Sequence, residues 1–156
     1  MIKKRNRVID LFSGCGGLSF GFIEAGYDVV LGIDHWKDAI ATFENSHKNS
    51  KGLIADLFTE TPKQISKKTG ITDIDVIIGG PPCQGFSIAG KRIVNDERNK
   101  LYKSFVSFVE FYKPKVFLME NVPNIVSMGQ GVVKDNIIKD FEKLGYKVVY
   151  KVLMAS

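Results

Sequence analysis

The chain has only two cysteines, Cys15 and Cys83, in 156 residues. Two thiols make no disulfide framework, and the pair does not have metal-ligand spacing. No apolar run approaches the roughly 18 residues of a membrane helix. No apolar signal region lies between Met1 and the first strand pattern. These absences point to a reduced, cytoplasmic protein with no metal and no membrane partner. Repeats, linkers and a Ser/Pro-rich tail are also missing, so no domain boundary is visible. What is present is ordinary globular composition, with 44% hydrophobic and 25% charged residues, which excludes disordered and collagen-like chains. The length fits one domain. A net charge of +5 attracts polyanions but by itself identifies none.

Strand and helix patterns alternate along the chain. Arg7–Leu11 reads as a short buried strand, followed by a glycine cluster and a helix marked by Leu18, Phe22 and Ala25, with Gly26 as its stop. Asp28–Ile33 reads as a second strand, Trp36, Ile40 and Phe43 mark a second helix, and Gly52–Ala55 is a weaker third strand. Thr61-Pro62-Lys63-Gln64 is a helix start with the residues of a capping box, and Gly70 ends that helix. Asp75–Ile78 is a fourth strand, followed by a long loop from Gly79 to about Asn99. Leu101, Phe105, Phe108, Val109 and Tyr112 line one helical face, closed by Pro114. Val116–Met119 is a fifth strand, Ile137, Ile138, Phe141 and Leu144 face a last helix, and Lys147–Leu153 is expected as a sixth strand. This order predicts an α/β, Rossmann-like fold: a mostly parallel sheet with helices on both faces.

In such sheets ligands bind beyond the carboxyl ends of the strands, so three strand ends carry the chemistry. The first ends in Asp10-Leu11-Phe12-Ser13-Gly14-Cys15-Gly16-Gly17. Its glycines permit a sharp turn and close backbone approach to a ligand. Asp34, at the end of the second strand, can bind a ribose hydroxyl. The full G-x-G-x-x-G pattern is absent, because Ser19 stands at its third glycine. Cys15 reads as a structural thiol within this loop. The fourth strand runs into Gly79-Gly80-Pro81-Pro82-Cys83-Gln84-Gly85-Phe86-Ser87. That places Cys83 where a nucleophile would stand, on an approach stiffened by two prolines. The fifth ends in Glu120-Asn121-Val122, where Glu120 reads either as a partly desolvated acid or as an exposed cap of the next segment. If the fourth and fifth strands are neighbours, Cys83 and Glu120 can face one pocket.

At these residues the chain resembles the cytosine-5 DNA methyltransferase family. The matching segments are DLFSGCGG (Asp10–Gly17), GGPPCQGFS (Gly79–Ser87), DERNKL (Asp96–Leu101) and ENV (Glu120–Val122), in the family's order. The resemblance implies methyl transfer from S-adenosylmethionine to carbon 5 of a cytosine flipped out of double-stranded DNA. It implies that Cys83 is the nucleophile and that Glu120 holds the ring at N3. For the cofactor it implies contacts from Phe12, Ser13, Gly14, Gly16, Gly17, Asp34, Asp56, Leu57, Pro81 and Leu101. Some relatives have tryptophan directly after the acid. Here His35 takes that place and Trp36 follows, so both stand as candidates for stacking on adenine. Gln84 and Ser87 are expected at the DNA. From Lys91 to Lys115 there are seven basic and three acidic residues. Of these Lys91, Arg92 and Arg98 are expected at phosphates.

The resemblance spans essentially the whole chain, to its final segment Lys151–Ser156. Family members continue with an arginine-containing Q-x-R-x-R segment, a target-recognition domain and a helix that completes the cofactor site. The expectation is therefore a partial catalytic domain. It would be a truncated product or one subunit of a split restriction-modification methyltransferase, inactive until a second chain or the missing half joins it. In the family a further strand inserts next to the fifth, so the edge of Val116–Met119 is expected to lie uncovered. Two rivals remain. One is a non-catalytic S-adenosylmethionine-binding or assembly module, which has no chemical need for both Cys83 and Glu120. The other is a tRNA methyltransferase on the same scaffold, although the Gly85-Phe86-Ser87 ending looks more like the DNA enzymes.

Overall fold

A computed structural model describes residues 5–82 and 100–154. Five parallel strands form one sheet in the order β3-β2-β1-β4-β5. They are β1 (Arg7–Leu11), β2 (Asp28–Asp34), β3 (Lys51–Ile54), β4 (Val76–Gly79) and β5 (Val116–Met119). The helices between and after them are α1 (Gly17–Glu24), α2 (Lys37–Ser46), α3 (Pro62–Thr69), α4 (Lys100–Tyr112) and α5 (Val132–Lys143). Two short 3-10 turns, Pro123–Val126 and Met128–Gly131, lead into α5. Strand order reverses at β1, which pairs β2 on one side and β4 on the other.

The central strands β1, β2 and β4 are short, largely apolar and buried on two faces, as parallel strands under crossover helices are. Ile9, Leu11, Leu31, Ile33 and Ile77 meet Phe105, Phe108 and Phe141 of α4 and α5 on one face. Val8, Val29, Val76 and Ile78 meet Phe43 of α2 on the other, with Leu18 and Phe22 of α1 packed alongside. The period-2 alternation of these central strands therefore feeds two cores rather than one core and solvent.

Local chemistry sets the ends of α3. The Thr61 hydroxyl accepts the Gln64 amide N–H at 3.3 Å, and the Gln64 side chain accepts the Thr61 amide N–H at 2.8 Å. Gly70 closes the helix with φ of 74°.

The expected sixth strand is not formed. Residues 147–154 are irregular, with Val149, Tyr150, Val152 and Leu153 exposed. They have strand composition but pair with no strand, so composition alone cannot make them one. Beyond β4, β5 has no partner among the described residues. One face of β5 is covered by Phe117 stacked on Phe141 at 4.1 Å. Val116 and Leu118, on the other face, are exposed. Among the described residues no helix is long and apolar enough to cross a membrane.

Candidate functional site

The register brings the chemical segments to one end of the sheet. Leu11 pairs with Ile33 and with Gly79, Gly79 pairs with Met119, and Asp34 pairs with Ile54. The residues that follow these positions therefore form a continuous rim at the carboxyl ends, across the reversal in strand order.

The first part of the rim is the turn after β1. Phe12 holds a left-handed backbone with φ of 58°, a strain that a non-glycine residue keeps only where its surroundings enforce it. The Ser13 amide donates to the Ile33 carbonyl at 3.0 Å, so the turn stays tied to β2. Gly14 donates its amide to Asp34 Oδ2 at 2.9 Å, and Trp36 donates its amide to Asp34 Oδ1 at 2.9 Å. Asp34 thus fastens the glycine loop to the tip of β2 while keeping lone pairs for a ligand. Gly16 precedes α1 with φ of 91°, and Gly17 opens that helix. Cys15 is exposed at the tip of the turn, which corrects the expectation of a structural thiol.

A cavity of about 300 Å³ opens beside this turn. Phe12, Asp34, His35, Leu57, Pro82 and Leu101 line it, with Asp56 and Phe58. Asp56 is oriented by the Phe58 amide, which donates to its Oδ1 at 2.9 Å. Ser104 of α4 donates its hydroxyl to the Leu57 carbonyl, joining this loop to the helix that carries Leu101. Three lining details refine the expectation. Pro82 lines the cavity, whereas Pro81, next to it, is buried and does not. His35 lines it, with Nδ1 at 3.3 Å from Asp34 Oδ1. Trp36 is the cap of α2 and 62% exposed, so it belongs neither to the core of that helix nor to the cavity wall. Sequence reasoning missed Ala55 and Phe58, which flank Asp56 and Leu57.

Across β1 lies the second part of the rim. The Glu120 amide donates to the Gly79 carbonyl at 2.9 Å, extending the β4–β5 ladder by one step. A Cβ on Gly80 would come within 2.9 Å of Glu120 Oε2, so the carboxylate lies directly against the Gly80 backbone. Asn121 donates its side-chain N–H to the Pro81 carbonyl at 2.9 Å. The Glu120-Asn121 segment is therefore bound to the backbone that leads into Cys83. Glu120 is exposed, which decides against the desolvated reading and for the exposed one. Cys83, Gln84, Ser87, Lys91, Arg92 and Arg98 lie outside the described residues.

Beneath the rim, Asp10 is 1% exposed and accepts the Ser19 hydroxyl at 2.6 Å. Burial pushes its carboxyl up to about 6, against hydrogen bonds from Ser19 that pull it down. Ser19 stands at the position where a dinucleotide fingerprint has its third glycine, and here it serves this buried pair. Among the described residues there is no cluster of three or more His, Cys, Asp or Glu side chains able to hold a metal.

Comparison with known proteins fits this geometry. The family model described as C-5 cytosine-specific DNA methylase matches residues 6–156. Type II methyltransferase M.DdeI of Desulfomicrobium norvegicum is 45% identical over 151 residues, covering 95% of this chain and 36% of the relative. Type II methyltransferase M.AgeI of Thalassovita gelatinovora is 42% identical over 142 residues, covering 90% and 33%. Among solved structures, a protein described as a DNA modification methyltransferase encoded within an E. coli prophage superposes with a TM-score of 0.73 at 36% identity. That match covers 88% of this chain and 38% of the other. The chain thus spans about a third to two fifths of the length of these relatives.

Proposed function

The chain belongs to the C-5 cytosine-specific DNA methylase family, and from that membership we propose that it supplies the cofactor pocket and reacting residues of a DNA (cytosine-5)-methyltransferase. One observation carries the reading: the Asp34–Asp56 cavity and the Glu120–Gly80 contact sit on one rim, on opposite sides of the strand-order reversal.

The family depends on S-adenosylmethionine, and the donor set here fits its nucleoside. Asp34 has lone pairs left for ribose hydroxyls, and Asp56 can accept from an exocyclic amine. Phe12, Leu57, Phe58, Pro82 and Leu101 form apolar walls suited to adenine. His35, on the wall, is placed better than Trp36 to lie against the base. The Gly14–Gly17 backbone is left for the amino-acid end. When bound, S-adenosylmethionine supplies an electrophilic methyl group.

This chain's own residues make cytosine reactive. Carbon 5 of cytosine is a poor nucleophile. Addition of the Cys83 thiolate to carbon 6 pushes an electron pair onto the ring. Glu120 holds N3 and stabilises the charge that develops there. The resulting enamine places a reactive electron pair on carbon 5. After methylation a base removes the carbon 5 proton, and Cys83 departs as thiolate. Gln84, Ser87, Lys91, Arg92 and Arg98 are assigned to the DNA, whose target base must leave the stack.

The whole enzyme needs more than this rim. The free edge of β5 and an apolar groove of about 680 Å³ beside it, bounded by α5 and residues 146–153, suit a further strand from a longer protein or a second chain. That partner would also carry the part that chooses the DNA sequence. By likeness to the Type II relatives, we assign the assembled enzyme to DNA modification within a restriction-modification system.

The test uses the chain joined to the missing part, in cis or as a second polypeptide, with DNA containing 5-fluorocytosine. A covalent protein–DNA adduct is expected with S-adenosylmethionine and none with Cys83→Ser. Turnover retained in Cys83→Ser would overturn the assignment.

A further inference from the structure

His47 follows α2, lies outside the cavity, and is 5% exposed. Its Nδ1 is 2.9 Å from the Phe43 carbonyl oxygen. A carbonyl only accepts, so Nδ1 bears a proton and donates to it. The ring's Nε2 is buried with no hydrogen-bond partner among the described residues. An unpaired buried polar nitrogen is a standing cost. Packing alone therefore favours an apolar ring at this position.

The ring has a structural neighbour that gives its placement meaning. It stacks on Phe43, with centroids 4.6 Å apart and planes 23° apart. The two rings form the wall behind Gly16. A Cβ on Gly16 would come within 2.4 Å of His47 Cε1 and 2.7 Å of Phe43 Cδ2. Gly16 cannot sink further, and its left-handed φ of 91° fixes how the loop enters α1. On its other side the loop is held by Gly14 to Asp34 and by the Gly16 amide to the Ser13 carbonyl at 2.9 Å. The depth of the glycine loop is thus set from beneath by an imidazole whose ring plane is locked by its own hydrogen bond.

We propose that His47 is a positioning residue that sets the Gly14–Gly17 backbone for the amino-acid end of S-adenosylmethionine, leaving the nucleoside end to the β2–β3 pocket. The proposal rests on the cofactor reading above. The two ends are separable because Gly14, Gly16 and Gly17 do not line the nucleoside cavity.

The test titrates wild-type, His47→Asn and His47→Phe chains with S-adenosylmethionine and with 5′-methylthioadenosine, which has the nucleoside but no amino-acid end. Trp36 is the single tryptophan and stands at the rim, so its fluorescence reports binding, with calorimetry as a check. His47→Asn keeps a donor for the Phe43 carbonyl but has no ring to support Gly16. It is expected to weaken S-adenosylmethionine at least tenfold and methylthioadenosine less than threefold. His47→Phe restores the ring and is expected to bind S-adenosylmethionine within threefold of wild type. Parallel loss of both ligands, unchanged affinity in His47→Asn, or no recovery in His47→Phe overturns the inference and leaves the cofactor reading standing. A wild-type chain that binds neither ligand, even when joined to the rest of the enzyme, overturns both. Should His47→Asn fail to fold, Gly16→Ala drives a Cβ into the same ring and must give the same split.

Discussion

Asp10 and Ser19 form a fully buried hydrogen bond of 2.6 Å that joins the end of β1 to the first turns of α1. No cation sits in hydrogen-bond contact with this carboxylate among the contacts described. Burial therefore dominates, and its pKa rises from 3.8 to about 6.

The sign of the resulting pH dependence follows from linkage. The folded chain keeps the Asp10 proton at pH values where the unfolded chain has lost it. Stability therefore falls as pH rises from about 4 to about 6 and stays lowered above that, by on the order of 3 kcal/mol. Asp10→Asn keeps an acceptor for Ser19 and has no charge to bury. Urea unfolding at pH 4, 5, 6 and 7 should show the variant gaining on wild type across that window. Parallel pH profiles for the two proteins would contradict this.

Asp34 holds two backbone amides, one from the glycine loop and one from the start of α2. Asp34→Ala releases both and removes the group assigned to the ribose. Affinity for S-adenosylmethionine is expected to fall at least tenfold, measured by calorimetry. Asp34→Asn keeps one carbonyl acceptor and should fall between wild type and alanine.

Asn121 ties Glu120 to the Pro81 carbonyl without touching the cofactor cavity. In the assembled enzyme, Asn121→Ala should lower kcat about tenfold or more while leaving the cofactor dissociation constant within twofold. Single-turnover methylation alongside equilibrium binding separates the two. Equal losses in both would show that Asn121 supports the fold rather than the reacting segment.

Thr61 caps a helix far from the reaction. Thr61→Ala should cost about 1 kcal/mol of stability. Denaturant midpoints should shift accordingly, with cofactor affinity unchanged.

Legibility followed the range of the physics involved. The Thr61–Gln64 capping box is written in four adjacent residues and formed as read. The five strands are apolar runs whose alternation is local, and the parallel sheet follows from their alternation with helices. Lys147–Leu153 failed as a strand because a ladder needs a neighbour, which residue types do not provide. Choosing Pro82 over Pro81, or His35 over Trp36, for the cavity wall depends on how each turn leaves the sheet. His47 carried no signal at all. Its meaning comes from the missing side chain of Gly16, a residue distant in sequence, and no periodicity marks such a pairing.

The central place of β1 also orders events during synthesis. β1, β2 and β3 pair with one another using only the first 54 residues. β4 begins 22 residues later, at Val76, a delay of about 1–4 s at ordinary translation rates. Through that interval a nascent chain has the sheet for Asp34 and the glycine loop while the other side of β1 stays unpaired. A nascent chain ending between α3 and β4 thus exposes an unpaired edge of β1 beside an incomplete nucleoside site.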